Sequence, residues 1–73
     1  NNEILTAIGV CYHALGNFSI AEIYLLKSLN LEHNNPTAIY NLATIHMDQG
    51  DLETAEKLFL NAIALDKKYA DPI

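Results

Sequence analysis

The chain nearly repeats itself at an interval of 34 residues. Gly16 returns as Gly50, Ala21 as Ala55, Glu22 as Glu56, Leu26 as Leu60 and Leu31 as Leu65. Residue types recur in the same register: Leu5 with Ile39, Ile8 with Leu42, Leu25 with Phe59, Ser28 with Ala62. A fixed period of this length belongs to stacked copies of one supersecondary unit, each burying an apolar face against the next, and not to a single globular fold. Arrays of that kind work as surfaces, so the expected task is to hold another protein.

Within each copy the apolar spacing is helical. Leu5, Ile8, Cys11, Tyr12 and Leu15 recur at intervals that put them on one stripe of a first helix. Gly16 suits a helix C-terminus and Asn17 the cap of a second helix, expected from about Phe18 to Leu31. That helix should bury Phe18, Ala21, Leu25, Ser28, Leu29 and Leu31. A polar linker from Glu32 to Asn35 then meets Pro36, which lacks only an N–H that a first helical turn leaves unpaired. A third helix from Pro36 carries Ile39, Leu42, Ala43, Ile45 and His46 and ends at Gly50. Asp51 caps a fourth, expected from about Leu52 to Leu65, with Glu53 well placed near its positive end. The expected fold is all-α, an α-solenoid segment of two helix-turn-helix units, residues 2–35 and 36–69 of a single segment 1–73. Ala70 and Ile73 fall in register with Pro36 and Ile39, so residues 70–73 read as the start of a further helix.

Composition removes several functions. With 73 residues, there is room for one small domain, and a 51% hydrophobic, 18% charged chain is expected to fold. The net charge is −5, and Lys67-Lys68 is the only basic pair, so the cation arrays of nucleic-acid surfaces and anionic-membrane binders are missing. No apolar run approaches the ~18 residues of a membrane span. Cys11 is a lone cysteine in an apolar helical run; it is expected to be a small buried hydrophobe, and it fits a reducing, cytoplasmic setting. The chain opens on Asn1-Asn2 without Met and reads as a segment of a longer protein.

These residues resemble the tetratricopeptide repeat. That family's pattern places a large apolar residue, Leu-Gly and an aromatic in the first helix, then Ala, an aromatic and a small residue in the second. The first copy here reads Leu5, Ile8-Gly9, Tyr12, Ala21, Leu25, Ser28; the second reads Ile39, Leu42-Ala43, His46, Ala55, Phe59, Ala62. The resemblance covers essentially the whole chain. His46 stands in place of the usual aromatic, as a semi-buried packing residue, and His33 and Lys67 stand in place of the Pro that commonly ends a unit. Two units are fewer than the three or so such arrays usually need, and no polar helix caps either end. The isolated segment is therefore expected to be marginally stable or to form a homo-oligomer through its open ends.

The resemblance implies a concave groove lined by the first helix of each unit. Its residues here would be Glu3, Thr6, Ala7, Val10 and His13, then Thr37, Tyr40, Asn41, Thr44, Met47 and Asp48. Such a groove takes an extended peptide or a helix of a protein partner. Tyr40 offers an amphipathic anchor, Asn41 a donor and an acceptor, and Met47 an adaptable apolar contact. One branch of the family clamps the terminal carboxylate of chaperone tails with Lys, Arg and Asn side chains. Asn41 matches the clamp's second-unit Asn, but its first-unit Lys and Asn fall at Thr6 and Val10, which supply no charge, so such tails are not expected to bind. On the outer face of the second helix, Ile20, Ile23 and Leu26, with Leu60 in the next unit, form an apolar patch suited to self-association.

No phosphate-cradling Gly loop, CxxC or HExxH is present. His13 and His46 stand one residue out of register, so they are not expected to converge on a metal. Asp48, Asp51 and Glu53 cluster near a turn, where capping accounts for them. The expectation is a protein-interaction module without catalysis or cofactor. The rivals are spacer repeats that bind nothing, an assembly element, and the docking arm of an enzyme.

Overall fold

Two of the chain's three glycines stop helices, and they do so identically. Gly16 (φ 82°) and Gly50 (φ 85°) adopt the left-handed conformation that side-chain-bearing residues resist. In each unit the glycine N–H bonds back three residues, Gly16 to the His13 carbonyl (2.9 Å) and Gly50 to that of Met47 (3.0 Å). The next N–H bonds back five, Asn17 to Tyr12 (2.9 Å) and Asp51 to His46 (2.8 Å). This is the Schellman closure, which pairs carbonyls the helix end would leave open. The same residues start the following helices: the Asn17 side chain accepts from the Ile20 N–H (3.4 Å) and Asp51 from that of Thr54 (3.3 Å).

The computed structural model describes the backbone of residues 2–70 and the side chains of residues 2–66. Over that range it has four helices: α1 (Asn2–Ala14), α2 (Phe18–Leu31), α3 (Pro36–Asp48) and α4 (Leu52–Ala70). Asn35 caps α3, its side-chain oxygen accepting from the Thr37 and Ala38 N–H groups at 3.1 and 3.3 Å. Neither Gly nor Pro stands between Leu65 and Ala70, and α4 continues to Ala70 instead of ending near Leu65. Of the further helix expected at 70–73, Ala70 belongs to α4, and residues 71–73 lie outside the described residues.

α1 pairs with α2 and α3 with α4, and α2 also packs on α3. The central cluster, Ala21 and Leu25 from α2 with Ala38, Leu42 and Ile45 from α3, joins the two units. Tyr12, Phe18, Leu29 and Leu58 pack around it. Within the first unit, Gly9 permits α1 and α2 to approach closely. A Cβ there would stand 2.8 Å from Leu25 Cγ and 3.2 Å from the Ala21 carbonyl oxygen.

The buried stripe of α1 lies to one side of the one expected. Thr6 and Gly9 are buried, Leu5, Ile8 and Tyr12 are half-buried, and Cys11 and Leu15 are exposed. Cys11 is therefore a surface thiol and not a core residue. The shift follows from the Gly9 approach, which turns the Thr6/Gly9 side of α1 toward α2. Leu31, at the last turn of α2, is likewise exposed.

Candidate partner-binding surface

The layer of first helices lies on the inside of a curve. α1 lies directly against α3, whereas among the described residues no Cα atom of α2 comes within 8 Å of one in α4. Two hairpins that meet at their first helices and part at their second curve toward the first. α1 and α3 thus form an inner face, with α2 and α4 behind.

On this face Val10 and Met47 are 39% and 44% exposed. Glu3, Ala7, Thr37 and Asp48 are exposed too, and Asn41 and Thr44 are half-buried. Asn41 donates through Nδ2 to the Thr37 carbonyl (2.9 Å), and the Thr44 hydroxyl donates to the Tyr40 carbonyl (3.1 Å). Both keep acceptor capacity for a ligand. Tyr40 is exposed, but its ring meets Phe59 edge-on with centroids 5.3 Å apart, which turns it toward the α4 side of the face.

Thr6 departs from expectation. It is only 7% exposed, its hydroxyl 2.6 Å from that of Ser28, and both hydroxyls lie within bonding distance of the Asn2 carbonyl (2.8 and 3.0 Å). Two hydroxyl protons serve these three approaches, so the Thr6 hydroxyl is engaged in joining α1 to α2, while the residue still lines a cleft beside α3. His13 is half-buried, with Nε2 2.7 Å from Asp48 Oδ2. His46 stands between Glu22 (3.3 Å) and Asp51 (3.4 Å). The two imidazoles thus have separate partners, and each ties one unit to the other. No repeat pattern announces these pairs, because their partners lie on different elements at unequal separations. Hydrogen bonds from Thr54, the side-chain bond first, hold the Asp51 carboxyl below the usual range, with His46 adding a smaller attraction.

Two clefts flank α3. One, of about 380 Å³, is lined by Asn2, Glu3, Thr6, Ala7, Glu32 and Thr37, with Asn35 beside them. The other, of about 350 Å³, is lined by Pro36, Thr37, Tyr40, Ala62, Ile63 and Asp66. On the back, Ile23, Leu26 and Leu60 are exposed and Ile20 is half-buried. Among the described residues no group of three or more His, Cys, Asp or Glu is placed to hold a metal ion, and no helix is long and apolar enough to cross a membrane.

Paired helices stacked in register define an all-α helical-repeat protein. Residues 3–35 and 36–69 each match a model of the tetratricopeptide repeat. The chain is 32% identical over 71 residues to tetratricopeptide repeat protein 37 of Xenopus laevis, covering 94% of this chain and 4% of that protein. It is 27% identical over 70 residues to the Sol locus transcriptional repressor of Clostridium acetobutylicum, covering 96% of this chain and 22% of that protein. It belongs to the tetratricopeptide repeat family. Repeats of this family generally mediate protein–protein interaction and are typically non-catalytic.

Proposed function

We propose that this chain is a docking segment of a longer tetratricopeptide array, holding a peptide or helix of a partner protein against the α1/α3 face without chemistry of its own. The carrying observation is the exposure of Val10 and Met47 on the two helices that line the inside of the curve. Neither belongs to the central cluster, so both are available to bury apolar side chains of a ligand. Ala7 leaves room for a close approach, and the free acceptors of Asn41 and Thr44 can pair with a ligand backbone. Tyr40 extends the surface toward α4.

The test is affinity capture with the full-length protein, comparing wild type with Val10→Asn/Met47→Asn verified to be equally helical. Loss of a partner in the variant supports the groove. An unchanged set of partners would remove it and leave these repeats as spacers.

A second reading rests on a different observation, the exposure of Ile23, Leu26 and Leu60 on the back of the array. Exposed apolar side chains on a helix back can serve self-association. Sedimentation of wild type and Ile23→Glu decides it: a concentration-dependent oligomer abolished by the substitution supports the reading, and one that persists contradicts it.

A further inference from the structure

The two clefts beside α3 occupy the same place in successive units. Pro36, Thr37 and Tyr40 of the second are the repeat equivalents of Asn2, Glu3 and Thr6 of the first, and Asp66 is the equivalent of Glu32. Each unit thus sets a carboxylate from the end of its second helix beside the opening turns of its first. The inner helices carry charge of the same sign, with Glu3 and Asp48 and neither Lys nor Arg. Lys27 and Lys57 stand on the outer helices, Lys27 over the Tyr24 ring (5.3 Å) and Lys57 beside Glu53 (3.7 Å). Glu32 accepts from the Asn2 side-chain amide at 2.6 Å, a neutral donor, and among the described residues it has no ion pair. Lys67 and Lys68 follow Asp66 in sequence, so the first cleft, with two carboxylates, is the stronger of the pair.

Resting on the peptide-docking reading above, we infer that the occupant is a basic extended segment of a partner protein. It sets a Lys or Arg in the first cleft, where Glu3 and Glu32 supply the countercharge, and lays apolar side chains against Val10 and Met47. An acidic segment meets the carboxylates of helices that carry neither Lys nor Arg, and complementarity of sign is what selects partners at such a surface. Packed neighbouring helices lie about 10 Å apart, a span of roughly three residues of extended chain. A second cation three residues along the ligand therefore reaches the Asp66 cleft.

The test is selection from a random 12-residue peptide display library on the full-length protein, with Val10→Asn/Met47→Asn as the counter-bait. The expected winners carry net positive charge with Lys or Arg three residues apart. Their affinity falls about tenfold in Glu3→Gln/Glu32→Gln and is unchanged in Glu53→Gln/Glu56→Gln, which removes the same charge from the outer helix α4. Winners without charge bias, or equal weakening by the two charge variants, overturn the inference while leaving the docking reading in place. No enrichment over the counter-bait overturns both.

Discussion

α2 and α4 are the same helix of the repeat in two surroundings. α2 is covered on both sides, by α1 and by α3, whereas α4 packs on α3 alone among the described residues. Leu25 is accordingly 0% exposed and its equivalent Phe59 half-buried, although Phe59 is the larger side chain. Leu29 is half-buried and packed on the core, while its equivalent Ile63 is 59% exposed. The position facing a unit's own first helix behaves differently: Ser28 and its equivalent Ala62 are both buried. Part of a second helix's burial is therefore internal to its unit, and part is delivered by the unit packed after it. This is the nearest-neighbour energetics of a solenoid, visible within two repeats.

The largest test of that difference is truncation at the equivalent pair. Leu25→Ala opens a cavity between the units and is expected to cost about 3 kcal/mol. Phe59→Ala removes a bigger side chain from a half-wet site and is expected to cost about half as much. Urea denaturation of the two variants gives the ranking. Equal losses would break the comparison, because they would mean that burial by the neighbouring unit contributes little.

Gly9 sharpens it next. A methyl at Gly9 collides with Cγ of Leu25, whose side chain is fully enclosed, and overpacking of this kind costs about 1–3 kcal/mol. The better helix propensity of Ala returns roughly 1 kcal/mol, so Gly9→Ala should destabilise by about 1 kcal/mol net. In a Leu25→Ala background the collision with Leu25 disappears and only the approach to the Ala21 carbonyl remains, so the same substitution should destabilise less. A double-mutant cycle in denaturant reads this difference. If Gly9→Ala has the same effect in both backgrounds, the close approach of α1 and α2 is not what Gly9 provides.

The contacts that lock the two units together at their surface are weaker. His13–Asp48 is partly exposed on both sides, and pairs of this type couple by about 0.2–1 kcal/mol. A cycle of His13→Ala and Asp48→Ala should fall in that range, with His46 and Glu22, at 3.3 Å, at or below it. Zero coupling in both would assign the junction to the Leu25/Leu42/Ile45 cluster alone.

How much of this was legible in the sequence depends on which interactions are local. The 34-residue register, the Gly16-Asn17 and Gly50-Asp51 turns and the Asn35-Pro36 start all act within a few residues, and each stands where periodicity and capping chemistry place it. The rotation of α1 was not legible. Leu5, Ile8 and Cys11 form an apolar stripe as good as the true one, and only the close approach at Gly9 selects Thr6 and Gly9 as the buried side. The burial of Thr6 was hidden for the same reason: its hydroxyl is engaged by Ser28, 22 residues away on another helix. The histidine pairs are equally non-local. Val10 and Met47 were correctly placed on the first helices, because which helix carries a residue follows from the register alone.

The smallest expected effect separates the two turns, which share a backbone and differ in charge. Asn17 caps α2 with a neutral amide, and Asp51 caps α4 with a carboxylate. Hydrogen bonds from Thr54 favour the ionised Asp51, with a smaller attraction from His46, so its folded-state pKa lies below the ordinary 3.8. A depressed carboxyl pKa contributes stability that is fully present above the unfolded-state value. That contribution is lost as pH falls through the lower folded-state value. The fourth helix should therefore loosen at its start below pH 3.8 through a step the second helix lacks. Asp51→Asn keeps an acceptor for the Thr54 N–H and removes the titration, so its urea midpoint should fall less than that of wild type between pH 5 and pH 3. Asn17→Asp should add a second acid-sensitive cap and make the fall steeper. If both variants follow the wild-type profile, the acid response belongs to carboxylates elsewhere, and the two turns are energetically equivalent despite their charge.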